Sequence, residues 1–371
     1  MKLLDFNLLS ENIDCIAKYD FSNNKIFGSA YLVYQDGIAL EKCYGTEGHS
    51  THSPITPTSV FRLASMTKPI TTVATLILVE RGLLSLDASV DQYLPEFANI
   101  KICDIDGVSV APKKIPTIRH ILSHTSGIGS KSEKYTLMTP SDKKTLDSTI
   151  NFYLRVGLDF EPGSMQMYSG TAAFDVLTKI IEKVSGTNYL DFLKREIFLP
   201  CQMTDTTFIP SPLQQRRMVE MHNKVNGENT VFQMPEGCVF ENYPCTHYLG
   251  GAGLVSTLQD YGNFAKMLLN KGQTEKGRIL REETFCHLYT PQVPKEIMNF
   301  SERWGLGVRV VTEDTPYLPK GSFGWSGAYG SHFWIDLQHN IFAVFMKNSK
   351  IDGGAGNESA RNFEKAVYSS F

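Results

Sequence analysis

Residues 28–45 read "GSAYLVYQDGIALEKCYG", two β-type runs meeting at Gln35-Asp36-Gly37. A two-residue Asp-Gly connection needs positive φ at both positions, which Gly adopts freely and Asp tolerates, so the stretch predicts a tight hairpin. Comparable strand character returns only near the end of the chain, in "WGLGVRVV" (304–311), "SHFWIDLQ" (331–338) and "NIFAVFMKN" (340–348), before a helical "ESARNFEKAVYSSF" (358–371). Strands at both ends with helical patterns between them predict one antiparallel sheet assembled from both termini. The expected fold is therefore α/β (α+β), a sheet flanked by helices in a single domain, 1–371. Its α/β lobe would span 1–95 and 251–371, with a helical lobe, 96–250, inserted.

Apolar periodicity places helices at Ser65–Arg81, at Thr117–His124 (stopped by Gly127) and at Ala172–Ser185. In the last, Phe174, Leu177, Ile181 and Val184 share a face and Gly186 ends it. Ser256–Gln259 has a capping-box pattern and opens a further helix whose face is Leu258, Tyr261, Phe264 and Leu268. Loops at 100–115, 130–150 and 210–247 are expected to line a groove between the lobes.

Composition excludes several functions. A net charge of -3 provides no basic stripe for nucleic acid. The longest apolar run, Pro69–Val79, is too short to span a bilayer, and the first 25 residues, with Asp5, Glu11, Asp14 and Asp20, do not read as a secretory signal. Seven cysteines without a C-x-x-C fit neither a disulfide framework nor a zinc ribbon, so a reducing cytoplasm is the expected setting.

Within "FRLASMTKPITTVATLILVERG" (61–82), Ser65 and Lys68 stand three apart at the head of a helix. Positions i and i+3 share a helix face, so the lysine nitrogen can reach the serine hydroxyl. Desolvation disfavours a charged lysine, and a neutral amine can take the proton that makes a serine hydroxyl nucleophilic. At the helix start, free N–H groups also favour an oxyanion. Further along, "EPGSMQMYSGTAAFDVL" (161–177) places Tyr168 before a helix, where a phenol can relay a proton. "FGWSGAYGSHFWID" (323–336) is a glycine-flanked turn leading into a strand, able to offer a backbone N–H to a substrate.

These three motifs in this order resemble the serine β-lactamase and penicillin-binding-protein superfamily, whose signature includes S-x-x-K. The likeness is strongest to class C β-lactamases and the family VIII carboxylesterases, and extends through "IRHILSHTSGI" (118–128) and "GGAGLVSTLQDYGNFAKMLLNKG" (250–272). The resemblance implies the β-lactamase/transpeptidase-like fold with no cofactor and no metal. It implies Ser65 as acylated nucleophile, Lys68 as base, Tyr168 as proton relay, and the backbone N–H groups of Ser65 and Ala328 as oxyanion hole. Gly170, Trp325, Ser326 and Gly327 stand at substrate-binding positions, for a small-molecule ester or amide.

Two departures bear on the substrate. The tyrosine motif of class C enzymes ends in Asn, and here it ends in Gly170; the third motif usually begins with Lys or His, and here it begins with Trp325, as in family VIII esterases. An indole has an apolar face and one N–H but no charge, which favours neutral acyl groups. The expected activity is a serine carboxylesterase, with a β-lactamase, a D-amino-acid peptidase or amidase, an acyltransferase or a non-catalytic sensor as alternatives. Two rival sites weigh less. "GWSGA" nearly matches a nucleophile elbow at Ser326, but an elbow feeds a helix and the following residues read as a strand. His120 and His124 have i,i+4 spacing but no adjacent Glu to complete a zinc motif.

Overall fold

The computed structural model describes residues 2–49, 52–106, 108–233 and 245–371. Its first element is one that the sequence reading lacked: helix α1 (Phe6–Ser22), capped by Asp5 Oδ1, which accepts from the N–H groups of Asn7 and Leu8. Strands β1 (Gly28–Gln35) and β2 (Ile38–Gly45) follow as the expected hairpin. Gln35 pairs with Ile38, and Asp36 and Gly37 have φ of 49° and 94°, the double positive φ that the tight connection demands.

A short strand β3 (Phe61–Arg62) leads through a tight turn, Ala64–Met66, into helix α2 (Thr67–Glu80). Almost all of α2 is buried, and its threonines are accommodated by bonding back along the helix: Thr72 and Thr75 hydroxyls donate to the carbonyls of Lys68 and Thr71. The intervening segment carries α3 (Ile118–Leu122), α4 (Leu146–Val156) and α5 (Ala172–Ser185). α5 has the expected bounds, with Gly186 at φ 63° as its C-cap. α3 is shorter than expected: it ends at Leu122, and His124 already has φ 57°.

Strand β4 (Val255–Ser256) pairs with β3, and helix α6 (Leu258–Leu269) comes next. The expected capping box is shifted by one residue, since the N-cap is Thr257, whose hydroxyl accepts from the Asp260 N–H. The main sheet is completed by β5 (Glu302–Trp304), β6 (Arg309–Val311), β7 (Phe323–Ser326), β8 (His332–Asp336) and β9 (Ile341–Met346), closed by helix α7 (Glu358–Tyr368).

Together these strands make one antiparallel sheet in the order β5-β6-β7-β8-β9-β1-β2, so the C-terminal strand β9 docks on the N-terminal hairpin, as expected. The sheet is covered on both faces. Along β9, Ile341, Ala343 and Phe345 join a core with Leu9, Ile13 and Ala17 of α1 and Phe363 and Val367 of α7. Their alternates Phe342, Val344 and Met346 face the larger core that includes α2, α5 and α6. Among the described residues no helix is long and apolar enough to cross a membrane.

Candidate active site

Ser65 sits in the turn before α2, half-buried, directly after Ala64, whose φ of 44° is unusual for a residue with a side chain. One helical turn on, Lys68 is completely buried. Its nitrogen meets oxygen: Nζ lies 3.4 Å from Ser65 Oγ, 2.5 Å from the Gly170 carbonyl and 2.9 Å from the Gly251 carbonyl. The rings of Tyr168 and Phe174 close the remaining sides at 4.9 and 5.2 Å. Gly251 was not singled out from the sequence, although it lies in a quoted block. A Cβ there would lie 3.3 Å from Lys68 Nζ and 3.1 Å from the Gly170 carbonyl, so any side chain would make these neighbours shift by a few tenths of an ångström.

Tyr168 lies in an aromatic nest. Its ring stacks on Trp304 at 5.8 Å, contacts Trp325 at 5.3 Å and rests against His124 at 4.5 Å, and its hydroxyl oxygen lies 3.3 Å from Trp325 Nε1, whose N–H donates to it. His124 is a buried support: Nδ1 accepts from the Ser169 N–H at 3.1 Å, and burial, reinforced by the charge of Lys68, holds its pKa well below the usual histidine range. The ring is therefore neutral, with its proton on Nε2. His120 instead caps α3, accepting from the Thr117 N–H, and burial pushes it down to about 4. The helix ends between the two histidines, so their spacing does not put them on one face. Among the described residues no group of three or more His, Cys, Asp or Glu could hold a metal ion.

The third motif comes in along β7. Gly327 packs so tightly on the turn before Ser65 that an added Cβ would lie 2.4 Å from the Leu63 carbonyl, which brings the end of β7 beside Ser65. Ala328 follows as an exposed residue in a turn whose neighbours Gly327 and Tyr329 are buried. Neither the Ser65 N–H nor the Ala328 N–H donates to an acceptor among the described residues. Ser326 turns away: its hydroxyl is buried, 2.7 Å from His332 Nδ1. The elbow reading of Ser326 fails, because β7 runs through a turn into strand β8. Gly170 is exposed, and a Cβ placed there meets nothing within 4 Å. Of the three expected groove loops, 210–247 reaches the site through Met221 and Phe232, which pack with Ala64 and Tyr329; its residues 234–244 lie outside the described residues. Loop 130–150 touches it where Ser130 Oγ donates to the Met167 carbonyl, whereas 100–115 bonds through Cys103 to Leu158.

A family model described as Beta-lactamase matches residues 13–366. The chain belongs to the β-lactamase family. Among its relatives is Esterase EstB of Burkholderia gladioli, 26% identical over 95% of this chain and 94% of the esterase. Another is Acyltransferase calJ of Penicillium decumbens, 27% identical over 79% of this chain and 76% of that one. The solved structure of EstCE1, titled a hydrolase with promiscuous acyltransferase activity, superposes with a TM-score of 0.83 over 98% of this chain and 99% of its own, at 24% identity, and supports the fold. Family and relatives together make this β-lactamase-family chain a serine hydrolase, with esterases, acyltransferases and penicillin-binding proteins among its kin.

Proposed function

We propose that this chain hydrolyses carboxylic esters through a Ser65 acyl-enzyme. The observation that carries the reading is the surroundings of Lys68 Nζ. A neutral amine has two N–H bonds and one lone pair. Carbonyl oxygens can only accept, so Gly170 and Gly251 hold two N–H bonds of Lys68 in either state, and the position left toward Ser65 Oγ is an N–H of the ammonium or, once that proton is given up, the lone pair. Ser65 Oγ attacks the ester carbonyl as its proton moves to Lys68. The negative charge that develops on the carbonyl oxygen is received by the N–H groups of Ser65 and Ala328, which have no competing acceptor among the described residues. Tyr168 passes a proton to the leaving alkoxide, and the Trp325 N–H bond orients its oxygen and stabilises it when deprotonated. Water then attacks the acyl carbon, giving a proton to the Tyr168 phenolate, and Lys68 returns its proton to Ser65 Oγ as the carboxylic acid leaves.

Esters are preferred over β-lactams for two reasons. Gly170 leaves open the space where an amide side chain would hold a drug's acylamino arm. Trp325 spends its N–H on Tyr168 and offers the groove an uncharged wall. The reading treats residues 1–371 as one catalytic domain in which Ser65, Lys68 and Trp325 come from the α/β lobe (1–95 and 251–371) and Tyr168 from the helical lobe (96–250).

The test is a panel of short-chain p-nitrophenyl esters, D-amino-acid amides and the β-lactam nitrocefin, with Ser65→Ala as control. Ester hydrolysis lost in Ser65→Ala is expected, with kcat/KM at least about a hundredfold above that for nitrocefin, a difference of roughly 2.7 kcal/mol in transition-state binding. Burst-free nitrocefin turnover matching the best ester would replace this reading with a β-lactamase. The acyltransferase names among the relatives favour one addition to the panel: an alcohol co-substrate, which accelerates product formation if it intercepts the acyl group.

A further inference from the structure

Side chains alternate along a strand, so β7 sends Trp325 to one face and Ser326 to the other. Trp325 meets Tyr168. Ser326 meets His332, its direct partner on β8, with Oγ 2.7 Å from Nδ1. From there a chain of polar contacts runs through the closing helix. His332 Nε2 lies 3.0 Å from Glu364 Oε1, and Glu364 Oε2 accepts from Arg361 Nη1 at 2.8 Å. Arg361 Nη2 donates to Glu302 Oε1 at 3.2 Å, and Glu302 Oε2 lies 2.7 Å from Arg309 Nε. The Arg309 guanidinium lies 5.7 Å from the centre of the Trp325 ring. The chain leaves β7 at Ser326 and comes back to it at Trp325, so both faces of this strand end are held by one network.

Ser326, His332 and Glu364 have the order of a serine nucleophile, its base and an orienting carboxylate, but they cannot act as one. The three are 2%, 2% and 0% exposed, beneath α7, with no path for a carbonyl carbon to Ser326 Oγ. The direction of the bond to Glu364 is nevertheless defined. Burial pushes the Glu364 carboxyl up, but His332 and Arg361 outweigh it and hold it below the usual range, so it is an acceptor. It accepts from His332 Nε2–H, and Ser326 Oγ and His332 Nδ1 share the next hydrogen bond.

The groups that use this strand end are two residues further on. Ala328 is exposed and its N–H is without an acceptor among the described residues, so its direction is inherited from its flanks. Directly before it, Gly327 is tied by its N–H to the Ser331 carbonyl at 2.7 Å and by its own carbonyl, which accepts from the Gly354 N–H at 3.0 Å; on the far side the Tyr329 carbonyl accepts from the Ser349 N–H at 2.9 Å. One residue further back on the near side, Ser326 adds the side-chain anchor. We propose that the network from Ser326 through His332, Glu364, Arg361 and Glu302 to Arg309 is a positioning device that aims the Ala328 N–H at the carbonyl oxygen of the substrate. This rests on the reading of Ser65 and Ala328 as the oxyanion hole. Oxyanion donors act through placement within a few tenths of an ångström, so loosening the anchor costs rate even though no network side chain touches substrate.

The experiment compares a p-nitrophenyl ester with its thiono analogue, whose sulfur accepts hydrogen bonds weakly and gains little from the hole. In Ser326→Ala, kcat for the oxygen ester is expected to fall about 10- to 100-fold with KM within about threefold. The thionoester should fall by less than about threefold, so the oxygen-to-sulfur preference collapses. Ser326→Thr, which keeps the hydroxyl, should restore the preference. Glu364→Gln keeps the shape but not the charge, and should shift the ratio the same way by a smaller factor; it also serves if Ser326→Ala does not fold. Equal losses on both esters, or no loss on either, would overturn the positioning role while Ser65-dependent ester turnover stands. Oxygen-ester turnover that survives Ser65→Ala would instead overturn the reading of the site, and this inference with it.

Discussion

At the scale of single residues, the account turns on what Lys68 and Tyr168 must be able to do. Lys68→Arg keeps a positive charge but cannot supply a lone pair, so steady-state ester assays should find it nearly as inactive as Lys68→Ala; substantial activity in the arginine variant would reduce Lys68 to a charge. Trp325→Phe keeps an aromatic wall and removes the N–H that Tyr168 Oη accepts. It should lower kcat about 10- to 100-fold with little change in KM, the cost of one hydrogen bond to a group that becomes charged in the reaction. An unchanged kcat would mean that the indole serves only as a surface. Ser65, Lys68 and Tyr168 were legible in the sequence because each lies in a short motif. Gly251 and His124 were not picked out as parts of the site. Gly251 comes within reach of Lys68 across 183 residues of chain, and His124 was weighed only as half of a zinc pair and set aside for want of an adjacent Glu.

At the scale of elements, local chemistry was read well where one residue type dictates the backbone, as at Asp36-Gly37 and at Gly186. It was read poorly where the signal is spread out. α1 buries only Leu9, Ile13, Ala17 and Asp20, a narrow stripe in a charged segment, and takes its stability from α7 and the sheet, which no local window contains. The cap of α6 slipped by one because Ser256 and Thr257 are chemically interchangeable caps, and only the pairing of β4 with β3 decides between them. The network around Ser326 escaped altogether, since Glu302, Arg309, His332 and Glu364 sit on four elements. The approach of β7 to Ser65 makes its own prediction. Gly327→Ala puts a methyl group 2.4 Å from the Leu63 carbonyl, so backbone must move, and both the melting temperature and kcat should fall. Wild-type activity in Gly327→Ala would show that the spacing between β7 and the Ser65 turn is not critical.

At the scale of the whole molecule, folding has left one carboxyl where it costs stability. Asp175 on α5 is fully buried, with Oδ2 accepting from Tyr153 Oη at 2.7 Å and Oδ1 without a partner among the described residues. Burial pushes its pKa up to about 8, against the smaller opposing pulls of Tyr153 and Lys68. In the unfolded chain it titrates near 4. Between those values the folded state holds a proton that the unfolded state has lost, so the contribution of Asp175 to stability falls as pH rises from about 4 to about 8. Asp175→Asn is neutral in both states, and its melting temperature relative to wild type should climb through that interval and level off above it. A gap between the two proteins that does not change with pH would contradict the assignment.

The most direct test of the central claim, that Ser65 is the nucleophile of an acyl-transfer enzyme, is to treat the protein with a serine-reactive p-nitrophenyl phosphonate and locate the adduct by peptide mass spectrometry. The expected result is one equivalent on the peptide containing Ser65, with ester turnover lost in proportion to labelling and no adduct in Ser65→Ala. An adduct on Ser326 or on any other residue, with ester turnover persisting in Ser65→Ala, would contradict it.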